Sequence, residues 1–200
     1  MSILYRKPEP DCPYSQLEDI AGLIYDTDPY IYPAMFHSRE EAVGIIPRMI
    51  QAGDRMFNCR NMFVAEEDGR IVGLILWIRG PLVWEPDIYC RCGGNSADID
   101  KVCNEYFSQY STCDDGIISV INCCVSSGKR NMGIGQGLLQ SFMREVRGVC
   151  ELFVLSDNEP AVRLYQRNGF RICGQYDGFS AEGPRPKCFR MVSNMPHDAC

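Results

Sequence analysis

At 200 residues, with 46% hydrophobic and 23% charged residues, the chain has the size and composition of one folded domain and excludes a fibre or a disordered segment. A net charge of −6 argues against generic phosphate-backbone binding, so no nucleic-acid partner is expected. No stretch approaches the roughly 18 apolar residues of a membrane span, and the N-terminus has no signal-type apolar run, so the expectation is a cytoplasmic protein with no membrane partner. In that compartment the 12 cysteines read as reduced, small core hydrophobes.

Residues 2–7 read as a short strand and 14–26 as a helix, carried by Leu17, Ile20, Ala21, Leu23 and Ile24. Prolines and aspartates make 26–33 a loop. Ser38 and Glu41 form a capping box for a second helix, which Pro47 should kink or split. Strands at 61–66 and 70–77 flank a Glu67-Asp68-Gly69 turn and make a hairpin. A connection at roughly 80–115 follows, with a helix expected at 97–109. Residues 116–125 are apolar enough for a central strand buried on both faces. A helix at 134–146, a strand at 150–155, a helix at 158–168 and strands at 170–176 and 187–192 complete the chain. No repeat or linker divides it, so one domain over 1–200 is expected, with 80–115 as an insertion between the third and fourth strands.

The most informative stretch runs from Val125 to Leu139: a buried strand, a glycine-containing turn and an amphipathic helix. The first turn of a helix has N–H groups without intrahelical partners and carries partial positive charge, so it binds anions. Gly133 and Gly135 lack a Cβ and let the backbone approach a diphosphate, and Arg130 adds a fixed charge. Neither the P-loop spacing nor the dinucleotide spacing fits. A plain turn would account for the glycines alone.

Arg130-Asn-Met-Gly133-Ile-Gly135 resembles the R-x-x-G-x-G/A signature of the GNAT superfamily of acetyl-CoA-dependent N-acetyltransferases. Asn158-Glu-Pro-Ala161-Val-Arg-Leu164-Tyr165-Gln-Arg-Asn-Gly169-Phe170 is similar to the N-x-x-A-x-x-L-Y-x-x-x-G-F block of the same family. The resemblance implies an α/β GNAT fold: a mixed sheet of about seven strands flanked by about four helices, with the central strands splayed around the pantetheine arm. It implies acetyl-CoA as acyl donor, held by the backbones of Cys123 and Val125 and by Arg130, Asn131, Met132, Gly133, Ile134 and Gly135 around the diphosphate. Asn158 would reach the pantetheine, and an asparagine there also suits a plain helix cap. Tyr165 would be the general acid. A tyrosine near pKa 10 stays protonated at about neutral pH and can donate to a thiolate whose parent pKa is about 8.5. Packing of its ring on the sheet is the plainer reading.

The implied reaction is direct attack by a primary amine of a small molecule or peptide; a non-catalytic acyl-CoA sensing module is the alternative. Some members carry a glutamate where this chain has Ser119, and strand 117–125 holds no carboxylate. Glu66, Asp114 and Asp115 suit solvated turns better than a base, so the base is unassigned. Cys90, Cys92, Cys103 and Cys113 have poor zinc spacing, and no metal is expected. His37 and His197 are badly placed to partner a cysteine nucleophile. Tyr30, Tyr32 and Phe36 line either an acceptor pocket or the sheet edge. A homodimer is an expectation by resemblance only.

Overall fold

The computed structural model describes residues 2–95, 97, 102, 105 and 116–193. Among them are strands β1 (Leu4–Arg6), β2 (Met62–Glu67), β3 (Arg70–Arg79), β4 (Ile117–Val125), β5 (Val149–Leu155), β6 (Phe170–Asp177) and β7 (Lys187–Ser193). The helices are α1 (Tyr14–Tyr25), α2 (Ile31–Phe36), α3 (Arg39–Gln51), α4 (Pro86–Arg91), α5 (Ile134–Glu145) and α6 (Glu159–Arg167). The strands form one sheet in the order β1-β2-β3-β4-β5-β7-β6. Pairing is antiparallel throughout except between β4 and β5. No helix among the described residues is long and apolar enough to cross a membrane.

Strand alternation distributes the core onto both faces. Met62, Val64, Leu74 and Leu76 pack with α1, α2 and α3, while Phe63, Ala65, Val72 and Ile75 pack with α5. The β2–β3 turn is tighter than the sequence indicates. Glu67 pairs with Arg70, so Asp68 and Gly69 alone make the turn, both at positive φ. Ser38 caps α3 through its Oγ, which accepts from Glu41 N–H at 3.1 Å. Pro47 stays inside α3 without ending it.

The 26–33 loop is shorter than expected, because α2 begins within it. Asp28 Oδ1 accepts from the N–H groups of Tyr30 and Ile31, and Pro33 falls in the first turn, where its missing N–H breaks no helical bond. Helix α4, inside the insertion, was also unexpected; Pro86 opens it at the first helical position. Of the 97–109 helix, residues 97, 102 and 105 are described and helical, and the remainder lies outside the described residues. Val102 is fully buried in the core of the α1–α3 face, and Glu105 pairs with Arg185 of the β6–β7 connection at 2.6 Å.

Candidate functional site

The site begins at a β-bulge. Gly73 to Leu76 pair with Val125 to Asn122 in register, then Trp77 pairs with Val120, leaving Ile121 as an extra residue in β4. An extra residue reverses the side-chain alternation. Val120 faces α5, whereas beyond the bulge Asn122 faces Tyr32 of α2 and Cys123 faces α5 and α6. At the same point β4 leaves β5: their pairing runs only from Ile117–Val149 to Val120–Leu152. β5 continues to Leu155 paired with β7 alone. Ser126 N–H donates to Val72 O at 2.9 Å, so even-numbered backbone groups at this end of β4 face β3. Those of Cys123 and Val125 therefore face the open side.

On the α5–α6 side a cleft of about 820 Å³ opens, and a narrow cavity of about 70 Å³ lies in the gap between β4 and β5, bounded by α2. Cys123, Asn158 and Tyr165 border both.

One end of the cleft is built for an anion. Gly133, with φ of 80°, stands at the N-cap position of α5, and no side chain among the described residues caps its first-turn N–H groups. Arg130 Nε donates to Val125 O at 3.2 Å, which holds the guanidinium over the strand end. Lys129, paired with buried Glu67, Arg163, paired with Glu159 at 2.7 Å, and Arg167 of α6 also line the cleft. Gln136 and Asn168 exchange amide hydrogen bonds of 2.9 and 3.0 Å, tying the start of α5 to the end of α6. A Cβ at Gly135 would meet Leu164 and Val125 at 3.5 and 3.6 Å, so a side chain beyond alanine would have to displace them or fill the cleft they line. Gly137 has another purpose: a Cβ there would overlap the Tyr5 ring, so that glycine serves the packing of α5 on β1.

The other end is a gap with two walls. On one wall Tyr165 is buried, its ring 5.6 Å from Phe170, and its side chain lies beside Cys123. Burial pushes the Cys123 thiol up to about 12, with the neighbouring Tyr165 hydroxyl offsetting part of the effect. Cys123 is therefore a neutral thiol and a poor nucleophile. On the opposite wall the buried Tyr32 hydroxyl donates to Asn122 Oδ1 at 2.8 Å. Asn122 is 2% exposed, and its Nδ2 has no partner among the described residues. Asp28 stands beside them; burial raises its carboxyl above the usual range, partly offset by the bonds from Ile31 and Tyr30.

The structure brings most of the expected residues to this cleft. Cys123, Val125, Arg130, Asn131, Gly133, Gly135, Asn158 and Tyr165 all line it. Met132 is 62% exposed and does not, and the Ile134 side chain is buried in the core, which leaves only its backbone near the cleft. Asn158 caps α6, its Oδ1 accepting from Ala161 N–H at 3.3 Å, and also borders the cleft. The three aromatics part company: Tyr32 lines the gap, Phe36 is core and Tyr30 is exposed. Glu66 is held by Arg6 at 2.6 Å. Ser119 Oγ donates to Glu151 of β5 at 3.1 Å, and Glu151 is itself paired with Arg190 at 2.8 Å. Cys90 is exposed and Cys92 buried; Cys103, Cys113, Asp114, Asp115 and His197 lie outside the described residues. Sequence reasoning missed Asp28, Asn122, Gln136, Arg163 and Arg167. Only the arginines had a signal, their i, i+4 spacing around Tyr165 on a helix.

The Acetyltransferase (GNAT) family model matches residues 28–170. A search of curated protein sequences yields no match. Among solved structures, an N-acetyltransferase from Staphylococcus aureus Mu50 superimposes with a TM-score of 0.70 at 16% identity, covering 94% of this chain and 99% of that one. The NatC complex bound to Gag peptide and CoA gives 0.61 at 14% identity, covering 98% and 99%. Arabidopsis thaliana Naa50, in complex with the bisubstrate analogue CoA-Ac-MVNAL, gives 0.56 at 15% identity, covering 98% and 100%. At these identities the structures establish a shared fold, and the family match over more than half of the sequence establishes descent: the chain belongs to the GNAT family of acetyltransferases.

Proposed function

We propose that this chain transfers acetyl from acetyl-CoA to a primary amine of a small molecule or peptide by direct attack. The observation that carries the reading is the continuity of one cleft, from the uncapped N-terminus of α5 to the gap where Tyr165 and Cys123 meet. The donor, when bound, supplies an activated thioester. Its diphosphate fits the backbone N–H groups of residues 133–135 beside Arg130, and its pantetheine fits the open edge of β4 at Cys123 and Val125. Asn158 keeps its amide nitrogen unengaged by the described residues and is available to that arm. Tyr165 is the general acid for the departing thiolate, and the neutral thiol of Cys123 stands beside it. A peptide acceptor is in keeping with the NatC and Naa50 structures, both solved with peptidic ligands.

Calorimetric titration with acetyl-CoA, beside the variant Gly135→Glu, tests this. The wild type should bind, and the variant should weaken binding at least about 100-fold, because a carboxylate replaces open space next to the anion site. Absence of wild-type binding would overturn the reading.

A further inference from the structure

The acceptor's proton has no destination in the reading above, and the gap between β4 and β5 contains a candidate. Asp28 lies on the α2 wall of that gap, opposite Tyr165 and Cys123. Its Oδ1 is committed to the N–H groups of Tyr30 and Ile31 at 2.7 and 2.9 Å. Its Oδ2 has no hydrogen-bond or ion-pair partner among the described residues. Asn122, 98% buried, borders the same gap, and its Nδ2 is a buried donor without a partner among the described residues. An orphaned buried donor costs about 1–3 kcal/mol, a cost that an oxygen arriving with the substrate would relieve.

Resting on the acetyltransferase reading, we propose that Asp28 is the catalytic base: it receives the acceptor's ammonium and removes its proton, while Asn122 Nδ2 holds an oxygen of the bound substrates. The cavity that would take the amine is narrow, about 70 Å³. The step balances. One proton of R–NH3+ passes to the Asp28 carboxylate and on to solvent. The nitrogen lone pair forms the N–C bond as the carbonyl electron pair moves to oxygen. The C–S bond then breaks, sulfur leaving with its electron pair and taking a proton from Tyr165. The nitrogen's surplus proton restores Tyr165. One ammonium and one thioester give one amide, one thiol and one proton.

The titratable groups around Asp28 are Tyr32 on its own wall, Cys188 from β7, and Cys123 and Tyr165 across the gap. Asp157 and Asp177 are the further carboxylates near Cys188, and Asp177 is paired with Lys187. None of these supplies a cation that would hold Asp28 as a structural ion pair.

The test uses the full chain, with thiol release from acetyl-CoA measured on 1,4-diaminobutane, Nα-blocked lysine and a pentapeptide with a free N-terminus. Asp28→Asn keeps the Oδ1 that accepts from Tyr30 and Ile31. It should bind acetyl-CoA and melt as the wild type does, with kcat/KM on the best amine reduced at least about 100-fold at neutral pH. Its rate should then climb about tenfold per pH unit toward the amine pKa, since only neutral amine can react. Asp28→Ser, whose hydroxyl can accept the same backbone bonds, serves as a second variant and should behave alike. Wild-type kcat/KM and pH profile in both variants would overturn the base assignment and leave the acetyltransferase reading intact. A lowered melting temperature or lost acetyl-CoA binding would reassign Asp28 to loop support. No thiol release by the wild type with any of the three amines would overturn both.

Discussion

Two aspartates in this molecule make the same local hydrogen bonds and meet different surroundings. Asp28 Oδ1 accepts from the N–H groups two and three residues on, at Tyr30 and Ile31. Asp54 Oδ1 does the same with Met56 and Phe57, at 2.9 and 2.7 Å. Burial raises both carboxyls above their usual range. The second oxygen distinguishes them. In Asp54, 1% exposed, it is sealed in the core without a partner among the described residues, whereas Asp28 lines a gap that Tyr165 and Asn122 also line. A raised pKa and a turn motif therefore do not distinguish a structural aspartate from a catalytic one. What the free oxygen faces does.

The largest effect that would sharpen this contrast comes from the wall opposite Asp28. Tyr165→Phe removes one hydroxyl and leaves the ring packed on Phe170. We expect kcat to fall about 10²-fold or more, with acetyl-CoA affinity within a factor of about three, as loss of a proton donor requires. Unchanged kcat in single-turnover measurements would remove Tyr165 from the chemistry and leave it a packing residue.

The next effect concerns stability and belongs to Asp54 alone. Desolvation by burial moves its carboxyl to about 6, the bonds from Phe57 and Met56 pulling downward and Glu85 pushing upward. The folded protein thus holds this proton more tightly than the unfolded chain, whose aspartate titrates near 3.9. The contribution is present in full below about pH 4 and is lost as pH rises through about 6, a change of at most about 3 kcal/mol. Asp54→Asn should be more stable than the wild type at pH 7.5 in urea titration, the difference vanishing near pH 4, with turnover unaltered. A variant less stable at both pH values would show that the charge is satisfied by a partner.

The anion end of the cleft was legible because it is contiguous: strand, Arg130, Gly133, Gly135 and helix fall within a dozen residues and act largely through backbone. The reaction end was not. Tyr32 and Asn122, hydrogen-bonded to each other, lie 90 residues apart. Asp28 reads as a breaker in a Pro- and Asp-containing loop, and nothing in Ile121-Asn122-Cys123 announces the bulge that turns Asn122 toward α2. Strand and helix positions followed from periodicity, because burial on two faces of one sheet imposes it. The short helices α2 and α4 escaped, being set by an aspartate side chain and a proline at their starts rather than by an apolar stripe.

The smallest effect tests whether one side chain can belong to both categories at once. Asn158 caps α6 with its Oδ1, as Asp28 and Asp54 serve their turns, and it borders the cleft as Asp28 does. Asn158→Ala should cost about 1 kcal/mol of stability through the lost cap. Asn158→Asp preserves the accepting oxygen and exchanges the amide donor for a negatively charged oxygen, which suits a helix N-terminus, so it should not lower the melting temperature. If the donor engages acetyl-CoA, that variant should still weaken its binding about tenfold, the worth of one hydrogen bond. Equal affinity in the wild type and Asn158→Asp would confine Asn158 to capping, and would place it with Asp54 rather than with Asp28.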